Sequence, residues 1–583
     1  MLGLVALGFI AIVVGPCWFC GERISRKYAR RRFQESFGGI AMLLVLGLVV
    51  VGSLPVVRDL LARSSLFSGL AGADGRGPLS ALVYLVSLGA ALYGYYRAHL
   101  AGKLGLGSSF LMVAGSLFLC FGVLMLGYEV AAGLQRVVRA GVPVSYADAF
   151  TVTAPLVALL LALVVNINDV GLGRYYRDRL MEAFMPDDAA VEQNRVGPAT
   201  VADRFRLAEV VERPDGERLV GPYPLVNVNV MTRGLAGNGV ARSRGGDNFV
   251  LGPAACGSTV TGWCRTPDVI DARLTLATAM ATSGAAANPR GGFAGTGLTT
   301  NPIVAMAMSI LSLRLGYWLR WHPGPWLRRT LNPHGNHIIP VASDITRQLI
   351  HLPTRPGAFI ELTDGGHFEN LGLYELVRRR CGLIIVCDGG DDRLASYAAF
   401  VAAARRIEED FGASFDFDVT FSDPGAPRLS TPAELVARPA GSEYPKDAEY
   451  AARGYFLGTV RYGGPRRDEV PMAEDGPDEG LVIYLKSALI PSASLVTRGY
   501  KGANAEFPYE STADQFFSPE QFEAYRDVGI CITRQMLAET GLAGLFGADR
   551  PPLTRLRRNP RFHTPHPAGE DAGAEPDPIQ PGA

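Results

Sequence analysis

Phe359-Ile-Glu-Leu-Thr-Asp364-Gly365-Gly366-His367-Phe368-Glu369-Asn370-Leu-Gly-Leu-Tyr374-Glu375 reads as a β-strand, a glycine turn and a helix. Phe359–Thr363 is rich in aromatic and β-branched side chains, the two glycines let the backbone turn tightly, and Glu369–Arg380 follows with helical character. A carboxylate at the end of a strand, beside such a turn, can be held where it accepts a proton from a neighbouring group. Strand ends are also where open α/β sheets place their sites. By residue type alone Asp364 equally suits a structural task, opening the turn and capping the helix behind it.

Outward from this stretch, further strands are expected at Leu225–Met231, Leu383–Asp388, Tyr455–Tyr462 and Leu481–Leu485. Helices are expected at Ala305–Trp321, Tyr397–Phe411 and Glu520–Leu537. Strands alternating with helices predict an α/β layered domain over residues 169–545. Residues 546–583 are assigned to a disordered tail, because Arg550–Ala583 is rich in Pro, Arg, Gly and acidic residues with no aromatic beyond Phe562.

The first 168 residues differ in kind. Apolar stretches at about 2–20, 38–57, 79–96, 108–128 and 149–166 each come near the ~20 residues that cover a bilayer core, which predicts a bundle of about five transmembrane helices. Their central runs carry no acidic or basic residue, so the bundle suits an anchor better than a transporter. Basic residues crowd the first loop (Arg23, Arg26, Lys27, Arg30) and the segment after the last helix (Arg174, Arg177, Arg179). By the positive-inside rule both flanks, and the α/β domain, are expected on the cytoplasmic side of the membrane. A basic cluster after the first apolar run, with none before it, argues against a cleaved signal peptide.

Lys and Arg together number 56, as do Asp and Glu, so the formal net charge is zero and a nucleic-acid partner is not expected. The eight cysteines are scattered, and Cys17, Cys20 and Cys120 lie in or beside apolar runs, which disfavours a disulfide framework. Cys17-x-x-Cys20 has no second ligand pair, and His334, His337, His351 and His367 come with no H-E-x-x-H pattern. Neither a metal nor a cofactor is therefore expected. The region Gly234–Gly252, with Arg242 and Arg244, lacks the spacing of a phosphate-binding loop and reads as a solvated loop.

The segment DGGHFENLGLYELVRRRCGLIIVCDGG (364–390) resembles the C-terminal half of the bacterial patatin-like phospholipases. NINDVGLGRYYRDRLMEAF (166–184), LATAMATSGAAANP (276–289) and FPYESTADQFFSPEQFEAYRDVG (507–529) are similar to the same family, so the likeness spans roughly 166–540. The resemblance implies the hydrolase fold and Ser–Asp dyad shared with cytosolic phospholipases, membrane lipids as substrate, and an inner-membrane location. In this branch the membrane helices sit between the two halves of the hydrolase domain. Asp364 would then be the dyad aspartate, deprotonating a serine that attacks a lipid ester carbonyl to give an acyl-enzyme that water hydrolyses. Gly365 and Gly366 would support its turn. Asp388, in the second Asp-Gly-Gly, ranks below Asp364 because no HFENLGLYEL helix follows it.

The family also needs a glycine-rich oxyanion loop and a nucleophile elbow of the G-x-S-x-G type. The chain has no Gly-Gly-Gly run, and none of its serines has glycine at both −2 and +2. Ser283, in Ala281-Thr282-Ser283-Gly284-Ala285, is the candidate nucleophile, with alanine at both elbow positions, where a Cβ crowds the turn. Ser258 is a weaker candidate. The expectation is a membrane-anchored patatin-like α/β hydrolase domain lacking its N-terminal half, with the serine supplied by upstream sequence or a separate chain. The alternative is a non-catalytic, truncated or degenerate relative acting as a membrane scaffold or lipid-binding protein.

Overall fold

The computed structural model describes residues 131–138, 166–169, 171–187, 191–193, 200–210, 222–232, 244–269, 274–289, 313–321, 359–417, 432–463, 476–510 and 517–540, with isolated positions elsewhere. The chain divides into two compact units, Met1–Phe368 with His563–Ala583, and Glu369–Phe562.

The first unit is built on a six-stranded sheet of β1 (Val226–Met231), β2 (Gly246–Leu251), β3 (Ala255–Ser258), β4 (Gly262–Arg265), β5 (Tyr317–Arg320) and β6 (Phe359–Asp364). Its order is β4-β3-β2-β1-β6-β5, and all of its pairings are antiparallel. Strand β1, Val-Asn-Val-Asn-Val-Met, shows how the faces divide. Side chains alternate along a strand, so Val228 and Val230 join Phe249, Leu251, Leu319, Ile360 and Leu362 in one apolar core. The opposite face carries the buried polar side chains Asn229, Glu361 and Thr363. Among its described residues this unit has the helices α1 (Leu172–Phe184), α2 (Thr200–Arg204) and α3 (Leu276–Ser283), besides helical residues at 131–138. Helix α3 starts where the Thr275 side chain accepts from the Thr278 N–H, and Gly284 follows its last residue. Its small side chains bring it close to its neighbours: Ala279 packs into the sheet core, and Ala277 packs with Met181 of α1.

The second unit contains α4 (Leu373–Arg378), β7 (Leu383–Asp388), α5 (Ala398–Phe411), β8 (Ser414–Asp416), the short pair β9 (Arg438–Pro439) and β10 (Glu449–Tyr450), β11 (Tyr455–Arg461), β12 (Glu479–Lys486), α6 (Leu495–Ala503) and α7 (Pro519–Thr540). Its four-stranded sheet has the order β7-β12-β11-β8, with β7 and β12 parallel and the other pairings antiparallel. Helix α7 sets Ala524, Val528, Ile532 and Met536 at helical spacing into a core with Tyr455, Leu457 and Ile483. Helix α5 buries Phe400, Ala403, Ile407 and Phe411 in the same manner, and the Phe400 ring meets Tyr484 edge-on at 5.5 Å.

Two expectations are corrected. The N-terminal bundle of five transmembrane helices, and the integral-membrane location that rested on it, are not upheld: no helix among the described residues is long and apolar enough to cross a membrane. A crossing needs about 20 consecutive apolar residues. The 22-residue α7 has the length, but Glu523, Arg526, Asp527 and Arg534 interrupt it. The stretches at 2–20, 38–57, 79–96, 108–128 and 149–166 lie, but for isolated positions, outside the described residues, as does the tail at 546–583. The second correction concerns Ala305–Trp321, where Tyr317–Arg320 is not helix but β5, paired with β6. A short apolar run has no periodicity that separates a buried strand from a buried helix.

Candidate functional site

Asp364 ends β6, and its backbone N–H donates to the Ala285 carbonyl beyond the end of α3. Its Oδ1 accepts from the Gly366 N–H at 2.6 Å, capping the short turn Gly365–His367. Among the described residues Oδ2 has no hydrogen-bond partner. Gly365 lies against β1 so closely that a Cβ there would stand 2.6 Å from the Asn227 carbonyl oxygen. The turn therefore requires glycine at this point and holds the carboxylate at the end of β6. Burial raises the Asp364 pKa from its ordinary value, against the Gly366 N–H and His367, which lower it.

His367 comes round the same turn. Three-residue spacing in a tight 3₁₀ turn puts side chains i and i+3 on one side. Its Nδ1 shares a 3.0 Å hydrogen bond with the Thr363 hydroxyl, which accepts from Asn229 Nδ2 at 3.0 Å. The Thr363 hydroxyl has one proton and two lone pairs, so it accepts from Asn229 and serves as donor or acceptor to Nδ1 according to the imidazole tautomer. Burial lowers the His367 pKa, with the Asp364 carboxylate and the Ala286 backbone opposing. Both partners are thus pressed toward their neutral forms. Tyr176 of α1 completes the group: its hydroxyl donates to the Gly284 carbonyl at 3.2 Å, and burial, then the Asp364 charge, raises its pKa.

Ser283 is the last residue of α3, not the tip of a strand-to-helix elbow. Its Oγ donates to the Asn227 carbonyl at 2.7 Å, the same oxygen that Gly365 approaches. The structure therefore gathers Ser283 and Asp364 around one backbone group of β1, but directs the Ser283 proton to that carbonyl and not to the carboxylate. Ser258 holds the β3–β4 turn, accepting from the N–H groups of Val260 and Thr261. Asp388, in the second unit, is committed to a buried ion pair with Lys486 at 3.2 Å and also accepts from the Tyr484 hydroxyl. His334, His337, His351, Cys17, Cys20, Cys120 and Arg242 lie outside the described residues.

Of the residues at this site, the sequence pointed to Asp364, Gly365, Gly366 and Ser283, and missed His367, Thr363, Asn229 and Tyr176. His367 was visible at i+3 from Asp364; Tyr176, almost two hundred residues upstream, gave no local signal. No family model, curated protein or solved structure matches the chain.

Proposed function

We propose that this chain carries the aspartate of a Ser–Asp acyl hydrolase of the patatin-like class, acting on carboxylic esters of lipids. The observation that carries the reading is the Asp364 carboxylate, with one oxygen fixed by the Gly366 N–H, the other without a partner among the described residues, and a pKa raised by burial. A raised pKa improves a carboxylate as a proton acceptor near neutral pH. In the reaction Asp364 Oδ2 takes the hydroxyl proton of the attacking serine as its Oγ bonds to the ester carbonyl carbon. The proton then passes to the departing alcohol as the C–O bond breaks. Water repeats the step on the acyl-enzyme, restoring serine and releasing the carboxylic acid. On this reading Ser283 is not that serine, because its hydroxyl is engaged with Asn227; the nucleophile comes from another part of this chain or from a separate one.

That same engagement favours a second reading, a non-catalytic relative that binds lipid without cleaving it. One experiment separates the two. The purified chain, alone and with candidate partner chains, is assayed on a fluorogenic ester and a phospholipid, and labelled with a fluorophosphonate. The catalytic reading expects a labelled serine other than Ser283, and hydrolysis that falls about 100-fold or more in Asp364→Asn, the range of a lost general base, and persists in Ser283→Ala. Absence of both hydrolysis and label under all these conditions selects the binding protein. Loss of activity in Ser283→Ala would instead make Ser283 the nucleophile.

A further inference from the structure

The first unit contains a cavity of about 620 Å³ whose lining does not include Asp364 but does include Arg174, Arg177, Arg204, Arg206 and Arg314. Arg174 and Arg177 sit three apart on α1, and so share a face. The two lining acids are Asp169 and Asp203. Asp178 and Glu361 stand behind Arg174 and Arg314. Glu209, outside the lining, accepts from the Arg206 backbone N–H; within the lining itself the basic residues outnumber the acids five to two.

These arginines are not equally committed. Arg177 is buried and held in place, donating to Asp178 at 2.8 Å, to Asp203 at 2.5 Å and to the Thr275 hydroxyl at 3.1 Å. Arg174 is held by Asp178 at 3.0 Å and Asp203 at 3.2 Å. Arg204 and Arg206 are exposed, and their guanidinium groups have no ion-pair partner among the described residues. Arg314 is 5% exposed; its Nη2 donates to the Ile167 carbonyl at 2.7 Å, while its Nη1 is buried with no hydrogen-bond partner among the described residues. A buried guanidinium N–H without an acceptor is costly, and a bound anion removes that cost. The cavity is thus fixed on one side by carboxylate-braced arginines and offers unpaired guanidinium groups, planar forks that match phosphate oxygens. Its volume lies within the roughly 300–1,000 Å³ of small-molecule sites.

We propose that this cavity binds a phosphomonoester, with Arg204 and Arg206 receiving the phosphate and Arg314 completing its coordination. The proposal stands apart from the acyl-hydrolase reading, since it rests on none of the groups around Asp364.

The test is calorimetric titration of the full chain with glycerol 3-phosphate, with glycerol as control, beside co-sedimentation with phosphatidylcholine vesicles with and without phosphatidic acid. Saturable binding is expected, absent for glycerol and weakened about tenfold by each of Arg204→Gln and Arg206→Gln, the equivalent of one charge-assisted hydrogen bond. Both positions are exposed, so these variants keep the fold, which circular dichroism checks; Arg314→Met is the third variant, read only if it folds. Tighter binding of glycerol 3-phosphate identifies a soluble phosphate ester, and tighter binding of phosphatidic acid identifies a lipid headgroup; either, lost in the double variant, supports the site. No binding of either probe, or undiminished binding by the double variant, overturns it.

Discussion

The tripeptide Asp-Gly-Gly occurs twice, at Asp364–Gly366 and Asp388–Gly390, and the structure predicts opposite responses to one substitution in the two copies. In Gly365→Ala the new Cβ would lie 2.6 Å from the Asn227 carbonyl oxygen and 3.1 Å from its carbon, against an ordinary contact of 3.4–4 Å. Those atoms belong to the backbone of β1, so no side chain can swing aside, and strand or turn must shift. Overpacking of this kind costs about 1–3 kcal/mol. Replacing glycine returns about 0.4–1 kcal/mol by restricting the unfolded chain. A net loss of about 1–2 kcal/mol remains, or roughly 2–8 °C in Tm for a domain of some 150–250 residues. At Gly389 a Cβ meets nothing within 4 Å. Gly389→Ala is therefore expected to be neutral or stabilising by up to about 1 kcal/mol. Differential scanning calorimetry on both variants decides the matter, and equal shifts, or a larger loss at Gly389, would refute the argument that the first turn is clamped against β1. Since the Ser283 hydroxyl bonds the oxygen that would be displaced, Gly365→Ala should also change proteolysis around the α3 terminus.

If Asp364 is the base it must be ionised, and because burial raises its pKa, the acid limb of kcat/KM should lie above 3.8; a limb at or below that value would count against the assignment. His367 has its pKa lowered from 6.5 by burial, so the fold favours the neutral ring: its contribution is present above pH 6.5 and lost as pH falls through the lower folded value. His367→Gln should therefore lose less stability than the wild type on acidification below 6.5, as read from urea midpoints. Asp364 acts in the other sense, contributing below 3.8 and losing that contribution as pH rises through its raised folded value. In the second unit, Lys486→Met leaves the buried Asp388 without its cation and should cost about 3–5 kcal/mol in urea unfolding, most of it recovered by adding Asp388→Leu. Failure of the double variant to recover would place the cost elsewhere than in the unpaired charge.

The second unit was the more legible because its elements carry strong patterns. Leu383–Asp388 was read with its observed bounds, and Tyr397–Phe411 and Glu520–Leu537 were placed to within three residues at either end. Each buries several large apolar side chains at a fixed period. The first unit hid its sheet. Strand β2, Gly-Asp-Asn-Phe-Val-Leu, is buried along its whole length yet begins with three residues that disfavour strands, so its sequence reads as a solvated loop. Its burial is decided by β1 and β3 on either side, which no local pattern reveals. Strands β3, β4 and β5 have only four residues each, too few for a period to show, and β5 was absorbed into an apolar run read as helix. An alternation of strand and helix signals suggested a layered α/β order; the antiparallel sheet of the first unit follows instead from hairpin neighbours with short connections.

At the site, what could be read was what the chain keeps adjacent. A strand end, two glycines and a carboxylate are contiguous, so Asp364 stood out. The features that distinguish it from Asp388 are contributed from far along the chain. Asn227 forces glycine at 365, Ala285 fixes the Asp364 backbone, and Tyr176 adds a hydroxyl whose proton the Asp364 charge helps to hold. Asp388 meets Lys486 and Tyr484, which engage both of its carboxylate oxygens in a buried ion pair and a hydrogen bond. The same three letters therefore give a half-buried carboxylate with an open oxygen in one place and a saturated structural group in the other, and the difference lies entirely in which distant side chains arrive.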